Sequence, residues 1–305
     1  MSAEPLRIVT AFPLPFYTPI HVAHRLGAFA AEGLDVTVWA PPPGTTPAML
    51  LRGEADVALG GVMRSYVLAD QPEPQRLLSI AEVNSRDGFL LLSRAPAPRF
   101  QWKDLEGQRL ILFAEAPTPW MCLQDVLRRH GVSLERIQVI KGLAVPEAIR
   151  TFLAGGADYL ETGQPMAEQL LEEGKAHLAA GMAEAVGPLP YSSLLVSPEF
   201  RRAKPDLCAR VVRGLARAQR WMAASAPGAI AELVAADFPA IARPLLDTVI
   251  ARFQAAGTWP DHPGQPREPY ERMGRILVAG GLIKRAVPFE TLCDDTFAEA
   301  AERSG

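Results

Sequence analysis

The chain has 305 residues, of which 49% are hydrophobic and 21% are charged, and its formal net charge is −3. That composition predicts a globular protein of one or two domains, and the lack of a basic stripe argues against a nucleic-acid partner. No apolar run reaches the roughly 18 residues of a membrane-spanning helix, so no transmembrane segment is expected.

The first part of the chain, Leu6–Gly61, alternates between two hydrophobic periods. Its apolar residues switch from a period of 2 to one of about 3.6 and back twice, which is typical of strand–helix–strand units. Such units build parallel sheets whose ligands bind beyond the carboxyl ends of the strands. We therefore expect site residues in the loops Pro13–Pro19, Pro41–Pro47 and Gly60–Arg64.

Two further strands are predicted at Gln75–Glu82 and Gly88–Ser93. The proline-containing segment that follows them suits a crossing between two lobes. The strand–helix pattern then restarts. The expected elements are strands at Arg109–Glu115, Arg136–Ile140 and Tyr159–Thr162, and helices at Thr118–His130, Val145–Leu153 and Gln164–Glu173.

A short internal repeat supports a second, similar lobe. Leu51–Asp56 and Leu153–Asp158 share the pattern L-x-G-x-A-D. In each copy the glycine suits the left-handed position that ends a helix, and the aspartate supports the turn into the next strand. The repeat therefore predicts two α/β lobes of similar construction.

The last third of the chain is predicted to be mainly helical. A strand at Tyr191–Ser197 returns to the first lobe, and a long amphipathic helix follows at Leu207–Ala223. Four arginines lie on one side of that helix, which we interpret as a solvated face: Arg210, Arg213, Arg217 and Arg220. Further helices are expected near Ile230–Ala236, Pro244–Ala256, Tyr270–Ala279 and Thr296–Glu302. We expect residues 1–93 with 195–305 to form the first lobe, and residues 94–194 to form the second.

The sequence carries no motif for catalysis, for a metal or for a cofactor. The cysteines are scattered without a C-x-x-C pair, so they predict neither a disulfide framework nor a zinc site. His21 and His24 are spaced to share one metal ion, but no third ligand follows at a useful spacing. Because G-x-S-x-G, G-x-x-x-x-G-K-[ST] and a post-strand G-x-G-x-x-G are also missing, we expect no catalytic residue, no metal and no cofactor.

The amino terminus bears on localisation. The residues M-S-A-E-P-L-R lead directly into the first strand, without the basic, apolar and small-residue segments of a secretory signal. The chain as written is therefore expected in the cytoplasm, and in the periplasm if an export signal is missing from it.

Several motifs of the opening stretch occur together in one family. They are Pro19, then Gly27-Ala28-Phe29 near a helix end, then Glu32-Gly33-Leu34-Asp35-Val36, followed by L-R-G-E-A-D-V-A-L and L-E-G-Q-R-L-I-L. This pattern resembles the solute-binding proteins for nitrate, taurine and alkanesulfonates, and the related thiamine-pyrimidine synthases and pyrimidine-precursor-binding proteins. The resemblance implies an α/β, two-lobed type II periplasmic-binding-protein fold with an inter-lobe ligand cleft and a helical C-terminal tail. The cysteine-rich motif of the synthases is not found in this chain.

The loop after the first strand offers candidate ligand-binding residues. Phe16, Tyr17 and Thr18 lie where a ligand is expected, and the two aromatic rings either cover an apolar ligand or pack on the neighbouring lobe. Arg64, just beyond Gly60, is the cation best placed for a carboxylate or sulfonate, with a plain exposed arginine as the alternative.

Threonine-containing turns precede three predicted helices. Backbone N–H groups at helix starts bind anions, and the same residues also serve as ordinary caps. The candidates in these turns are Thr45, Thr46, Thr118, Thr162 and Gln164. Trp120 either stacks on a planar ligand or packs in the core. Asn84 lies with Asp87 in a polar turn, Asn84–Asp87, at a strand end.

Glu161 lies at the strand end that mirrors Gly60. A carboxylate there favours a ligand with a cationic or amino group. With Glu115 it either forms a general acid–base pair or serves in hydrogen bonding or at a hinge.

Two functions follow from these observations. The first is a binding protein that holds a small organic ligand, such as a sulfonate, a carboxylate or a heteroaromatic vitamin precursor, and serves an ABC importer through its permease. The second is a cytosolic enzyme on the same fold, for example a decarboxylase or an enzyme of vitamin-precursor biosynthesis.

Overall fold

A computed structural model describes residues 3–42 and 44–303. The described residues form ten strands: β1 (Glu4–Thr10), β2 (Leu34–Trp39), β3 (Val57–Gly60), β4 (Leu78–Asn84), β5 (Leu90–Ser93), β6 (Arg109–Ile111), β7 (Gln138–Ile140), β8 (Tyr159–Thr162), β9 (His177–Gly181) and β10 (Ser192–Val196). Their helices are α1 (Thr18–Arg25), α2 (Ala28–Ala31), α3 (Thr46–Leu51), α4 (Met63–Ala69), α5 (Pro117–Arg129), α6 (Val145–Leu153), α7 (Met166–Glu172), α8 (Met182–Val186), α9 (Pro198–Ala203), α10 (Pro205–Ala224), α11 (Pro227–Val234), α12 (Arg243–Ala255), α13 (Arg267–Ala279), α14 (Phe289–Leu292) and α15 (Thr296–Arg303). Short 3-10 helices lie at Pro15–Tyr17, Trp102–Leu105, Leu134–Arg136 and Ala235–Asp237.

The chain divides into two compact units, Met1–Arg86 with Leu189–Gly305, and Asp87–Pro188. These boundaries differ by a few residues from those expected from the sequence. β5 pairs with β8 and β9, so Leu90–Ser93 lies in the second unit, although the sequence analysis assigned it to the first lobe. β10 pairs with β3 and β4 and lies wholly in the first unit. The pairing of β5 and β10 decides both boundaries between the units, and the hydrophobic pattern does not reveal which strands pair.

The first unit contains a five-stranded sheet in the order β2-β1-β3-β10-β4. β1, β2 and β3 run parallel, and β10 is antiparallel to both of its neighbours. Its core joins apolar residues of the strands, such as Ile8 and Val57, to Phe29 of α2 and to Val211 and Leu215 of α10. Burial of these side chains provides the main stabilising free energy of the unit.

The second unit contains a five-stranded sheet in the order β7-β6-β8-β5-β9. Its fourth strand, β5, is antiparallel to both neighbours, as β10 is in the first sheet. Phe152 of α6 and Leu170 of α7 pack against Ile111 and Leu160 of the strands. The predicted α/β class is confirmed, and the two sheets have the same arrangement of strand order and direction.

The arginine face of α10 takes part in ion pairs, which the sequence analysis did not expect. Arg213 and Arg217 each approach Glu32 with an N–O distance of 2.7 Å, and Arg210 pairs with Glu4 and Asp206. These contacts tie α10 to the start of β1 and the end of α2. The face is therefore partly an intramolecular surface.

Among the described residues, no helix combines the length and the apolar character required to cross a membrane.

Candidate functional site

Five residues lie together at the carboxyl edge of the first unit's sheet, where β1, β3 and β4 end. They are Phe16, Tyr17, Arg64, Asn84 and Ser192, and we refer to them as the Arg64 cluster. The carboxyl edge of parallel strands is where ligands of open α/β sheets bind. The cluster brings together four residues that the sequence analysis selected, and it adds Ser192.

The carbonyl of Phe16 fixes the position of the first loop. Asn84 Nδ2 donates to this oxygen at 2.8 Å, and Trp259 Nε1 donates to it at 3.1 Å. The Phe16 ring lies 5.8 Å from that of Tyr191 and 5.7 Å from that of Phe253, measured between ring centroids. Phe16 therefore packs within its own unit, and its predicted role in covering a ligand stays a prediction.

Tyr17 is buried beside Ser192 and Arg64. Burial raises the pKa of the Tyr17 phenol to about 12, opposed by a hydrogen bond with the Ser192 side chain and by the charge of Arg64. The phenol is therefore neutral at physiological pH. A neutral hydroxyl beside a guanidinium can donate to an anionic ligand.

Arg64 is a partly buried cation in the first turn of α4. Burial lowers the pKa of its guanidinium, and Tyr17 is the group that opposes this shift. Among the described residues no carboxylate forms a salt bridge with Arg64, and its buried Nε lacks a hydrogen-bond partner. A guanidinium remains protonated in proteins, so this site carries an uncompensated positive charge.

Other residues that the sequence analysis selected in the first unit form local contacts. Gly60 pairs with Ser193 across the sheet, next to the Arg64 cluster. The hydroxyl of Thr18 donates to the Pro15 carbonyl at 2.7 Å, and that of Thr45 donates to the Pro42 carbonyl at 2.7 Å. Buried Thr46 begins α3. For these threonines, a ligand contact stays a prediction.

The second unit has its own buried polar group at the carboxyl end of β8. Glu161 is 1% exposed and its neighbour Asp87 is 0% exposed. Neither oxygen of Glu161 has a partner in hydrogen-bond geometry, although a weaker interaction with the Phe113 backbone N–H is present. Burial, and next the charge of Asp87, raise the pKa of Glu161 to about 8.

Two aromatic rings of the same unit pack against each other near this end of the second sheet. The ring centroids of Phe89 and Phe113 are 4.7 Å apart, and a Cβ added to Gly163 would approach the Phe89 ring to 3.3 Å. Glu115 is exposed, unlike Glu161. Asp87 is therefore the carboxylate whose charge acts on Glu161. Of the two roles left open for Glu161 and Glu115, both stay predictions.

The remaining candidates of the second unit are divided between packing and capping. Gln164 accepts from the Glu168 backbone N–H at 3.0 Å and donates to its carboxylate at 3.1 Å, so it caps α7. Trp120 lies under the Lys141 ammonium, 5.3 Å from the ring centroid. Thr118 and Thr162 are buried at the start of α5 and the end of β8. Ligand contacts of these four residues stay predictions.

Sequence reasoning missed Ser192 and gave Asp87 only a minor place. Ser192 begins an antiparallel strand, whose amino end lies at the carboxyl edge of its parallel neighbours. The predicted strand at Tyr191–Ser197 was the available signal, but its direction is not encoded in a hydrophobic pattern. Asp87 lies in the polar turn after β4, and its place there was the corresponding signal.

The sequence of the chain matches one protein family and one curated relative over most of its length. Residues 15–229 match the model of the family described as NMT1/THI5 like. The Bacillus subtilis (strain 168) protein YtlA, a binding protein by name, is 24% identical over 288 residues, which cover 93% of this chain and 86% of that protein.

Solved structures share the fold over almost the whole chain. The alkanesulfonate-binding protein SsuA from Xanthomonas axonopodis pv. citri, bound to MOPS, superposes with a TM-score of 0.74 at 17% identity, covering 97% of this chain and 100% of that chain. The desulfurization enzyme DSZB superposes with a TM-score of 0.73 at 16% identity, covering 99% of each chain. The predicted periplasmic-binding-protein fold is confirmed by these likenesses.

Proposed function

Because the chain belongs to the NMT1/THI5-like family, we propose that it is a solute-binding protein that holds a small organic anion and delivers it to the permease of an ABC importer. The resemblance to solute-binding proteins predicted from the sequence agrees with this family. The ligand class and the importer are the parts of the proposal that experiment must test.

The single observation that carries the proposal is the uncompensated charge of Arg64. Removing a cation from water without a counter-ion is costly, so proteins pair a buried guanidinium with an anion. No carboxylate of the described residues fills that role. A carboxylate or sulfonate of a ligand provides the missing charge and matches the paired N–H groups of the guanidinium.

The neighbours of Arg64 suit the same ligand. The Tyr17 phenol is neutral and can donate a hydrogen bond to the same anion. The Phe16 ring is partly buried and provides an apolar surface for the body of an organic ligand. We assign Arg64 and Tyr17 to the anionic group and Phe16 to the rest of the ligand.

The relatives support binding in preference to catalysis. SsuA from Xanthomonas is an alkanesulfonate-binding protein, and YtlA carries the name of a binding protein. DSZB is an enzyme of the same fold, so the fold also supports chemistry. Recovery of the ligand after incubation distinguishes the enzyme alternative from binding.

Titration calorimetry of the purified chain with alkanesulfonates and short carboxylates tests the proposal. We expect binding, and we expect Arg64→Gln to weaken it by about 10- to 100-fold, since a hydrogen bond to a charged group contributes about 1.5–3 kcal/mol. Arg76→Gln provides the matched control. It removes the same charge from an exposed arginine before β4, at the opposite end of that strand, and should leave the affinity unchanged.

Two outcomes would overturn the proposal. If no organic anion binds, or if Arg64→Gln and Arg76→Gln have equal effects, Arg64 does not hold an anion. Chromatography of the ligand after incubation separates binding from turnover. Unchanged ligand supports the binding protein, and a new product supports the enzyme.

A further inference from the structure

The side-chain amide of Asn84 has a defined orientation. Asn84 is 0% exposed, and the group that lies 2.8 Å from the Phe16 carbonyl oxygen must be its NH₂, because an oxygen there would oppose another acceptor. The other end of the amide is therefore the carbonyl oxygen, Oδ1.

Asn84 Oδ1 is a buried acceptor without a donor. Among the described residues no N–H or O–H group donates to it, and the oxygen is shielded from solvent. The Phe16 carbonyl, by contrast, receives two donors, from Asn84 and Trp259. Most buried acceptors in folded proteins are satisfied. Other buried polar atoms of this chain also lack a partner, so the position of Asn84 Oδ1 beside Arg64 is what makes it a candidate for a ligand contact.

The unsatisfied oxygen belongs to the Arg64 cluster. Asn84 lies opposite Ser192 in the register of β4 and β10. Ser192 hydrogen-bonds to Tyr17, and Tyr17 experiences the charge of Arg64. One cluster therefore holds a cation without an anion and an acceptor without a donor.

We infer that the ligand carries a hydrogen-bond donor, such as an amino, amide or hydroxyl group, in addition to its anionic group. The donor satisfies Asn84 Oδ1 while the anion satisfies Arg64, so Asn84 is a specificity-determining residue. This inference rests on the proposed function. It also ranks ligands, because unsubstituted sulfonates, unsubstituted carboxylates and nitrate offer oxygens that only accept, and these leave Asn84 unsatisfied.

Matched pairs of ligands test the inference on the unaltered chain. Suitable pairs are 3-aminopropanesulfonate with propanesulfonate, 4-aminobutyrate with butyrate, and 4-hydroxybutyrate with butyrate, together with their shorter and longer homologues. In titration calorimetry we expect the donor-bearing member of at least one pair to bind about tenfold more tightly. We expect Asn84→Ala to remove that preference.

Trp259→Phe is the matched control for the variant. It removes one of the two donors to the Phe16 carbonyl, as Asn84→Ala does, but it leaves Asn84 Oδ1 in place. Its overall affinity can change, whereas the ratio within each pair should be preserved. If Asn84→Ala does not fold, the ratios measured on the unaltered chain still decide.

The outcomes separate this inference from the proposed function. Equal binding of both members of every pair would overturn the inference and leave an anion-binding protein, with water as the partner of Asn84. If Trp259→Phe also lost the preference, the preference would depend on the position of the loop that contains Phe16, and not on Asn84 Oδ1. If no member of any pair binds, the proposed function itself fails.

Discussion

Asp158 accepts three hydrogen bonds from Arg109: from its backbone N–H at 3.0 Å, from Nε at 3.0 Å and from Nη2 at 2.8 Å. Asp56 and Arg7 form the same three contacts in the first unit. In each unit the aspartate ends the L-x-G-x-A-D repeat, and the arginine lies in a parallel strand, in the middle of β1 for Arg7 and at the start of β6 for Arg109. In both units, the same aspartate–arginine contact therefore attaches the turn after a helix to a strand of the sheet.

Loss of the Asp158 carboxylate should weaken the second unit. We expect Asp158→Asn to lower the free energy of unfolding by about 1 kcal/mol, because a charged acceptor shared by a backbone and a side-chain donor is replaced by an amide. Arg109 and Asp158 are both partly exposed, so solvent limits the effect. Denaturant unfolding at neutral pH measures it.

The loss of unfolding free energy in Asp158→Asn should become smaller at acidic pH. The Arg109 side chain lowers the pKa of Asp158 to about 2, so its stabilisation is complete above the ordinary pKa of 3.8 and is lost as the pH falls toward 2. Glu54→Gln is the control, since Glu54 pairs with Arg52 on the surface of the first repeat. An equal loss in both variants would mean that Asp158 acts only as a surface charge.

The packing of α10 on α2 requires a glycine. A Cβ added to Gly214 would lie 2.5 Å from Cδ1 of the buried Phe29 ring, so Gly214→Ala forces that ring to move. We expect Gly214→Ala to lower the free energy of unfolding by about 1–3 kcal/mol, although alanine has a helix propensity about 1 kcal/mol more favourable than glycine. Gly228→Ala on α11, where nothing lies within 4 Å of the added Cβ, should be neutral or stabilising. Thermal unfolding of both variants gives the comparison, and a stable Gly214→Ala would show that the ring relocates freely.

Much of the fold could be predicted from the sequence, since the hydrophobic period defines an element within one segment of chain. The helix Val145–Leu153 and the strand Tyr159–Thr162 have the predicted bounds. The strand predicted at Arg109–Glu115 ends at Ile111, the last residue paired in register with β7 and β8, and Leu112 adds one further hydrogen bond to the Ile140 carbonyl. The strand β9 was missed, since its partly exposed residues give no alternating pattern.

The candidate site was predictable in part for a related reason. Phe16, Tyr17 and Arg64 follow strands, and Asn84 ends one. These strands all end at one edge, so the order of the four residues along the chain was informative. The partners that define their chemistry come from distant segments. Ser192 reaches Tyr17 only because β10 runs antiparallel, and that direction depends on packing, which single-sequence patterns do not contain.

A buried hydroxyl network supports β4 and β10 on the face opposite the main core of the first unit. Tyr270 Oη lies 2.7 Å from Ser79 Oγ, 2.9 Å from Ser193 Oγ and 2.8 Å from Gln265 Oε1. We expect Tyr270→Phe to lower the free energy of unfolding by about 1–3 kcal/mol, since the buried partners of the hydroxyl lose their hydrogen bonds. Tyr66→Phe removes a single bond, from Tyr66 Oη to the Tyr270 carbonyl, and should cost less. Equal costs in denaturant unfolding would contradict a cooperative network.

Ionisation of Glu161 should make the second unit less stable as the pH rises. Burial and the charge of Asp87 raise the pKa of Glu161 to about 8 from the ordinary value of 4.5, so between these values the folded chain holds a proton that the unfolded chain releases. This difference lowers the free energy of unfolding by about 1.4 kcal/mol for each pH unit of increase.

Substitution of Glu161 by glutamine isolates this effect. Glu161→Gln is uncharged at every pH, so its stability relative to the unaltered chain should increase steadily from pH 5 to about pH 8. Glu115→Gln provides the control, because Glu115 is exposed on the same unit and its removal should leave the slope unchanged. Thermal unfolding at each pH measures the difference. Parallel curves for Glu161→Gln and the unaltered chain would mean that Glu161 is already ionised in the folded state, and that burial and the charge of Asp87 do not hold its proton.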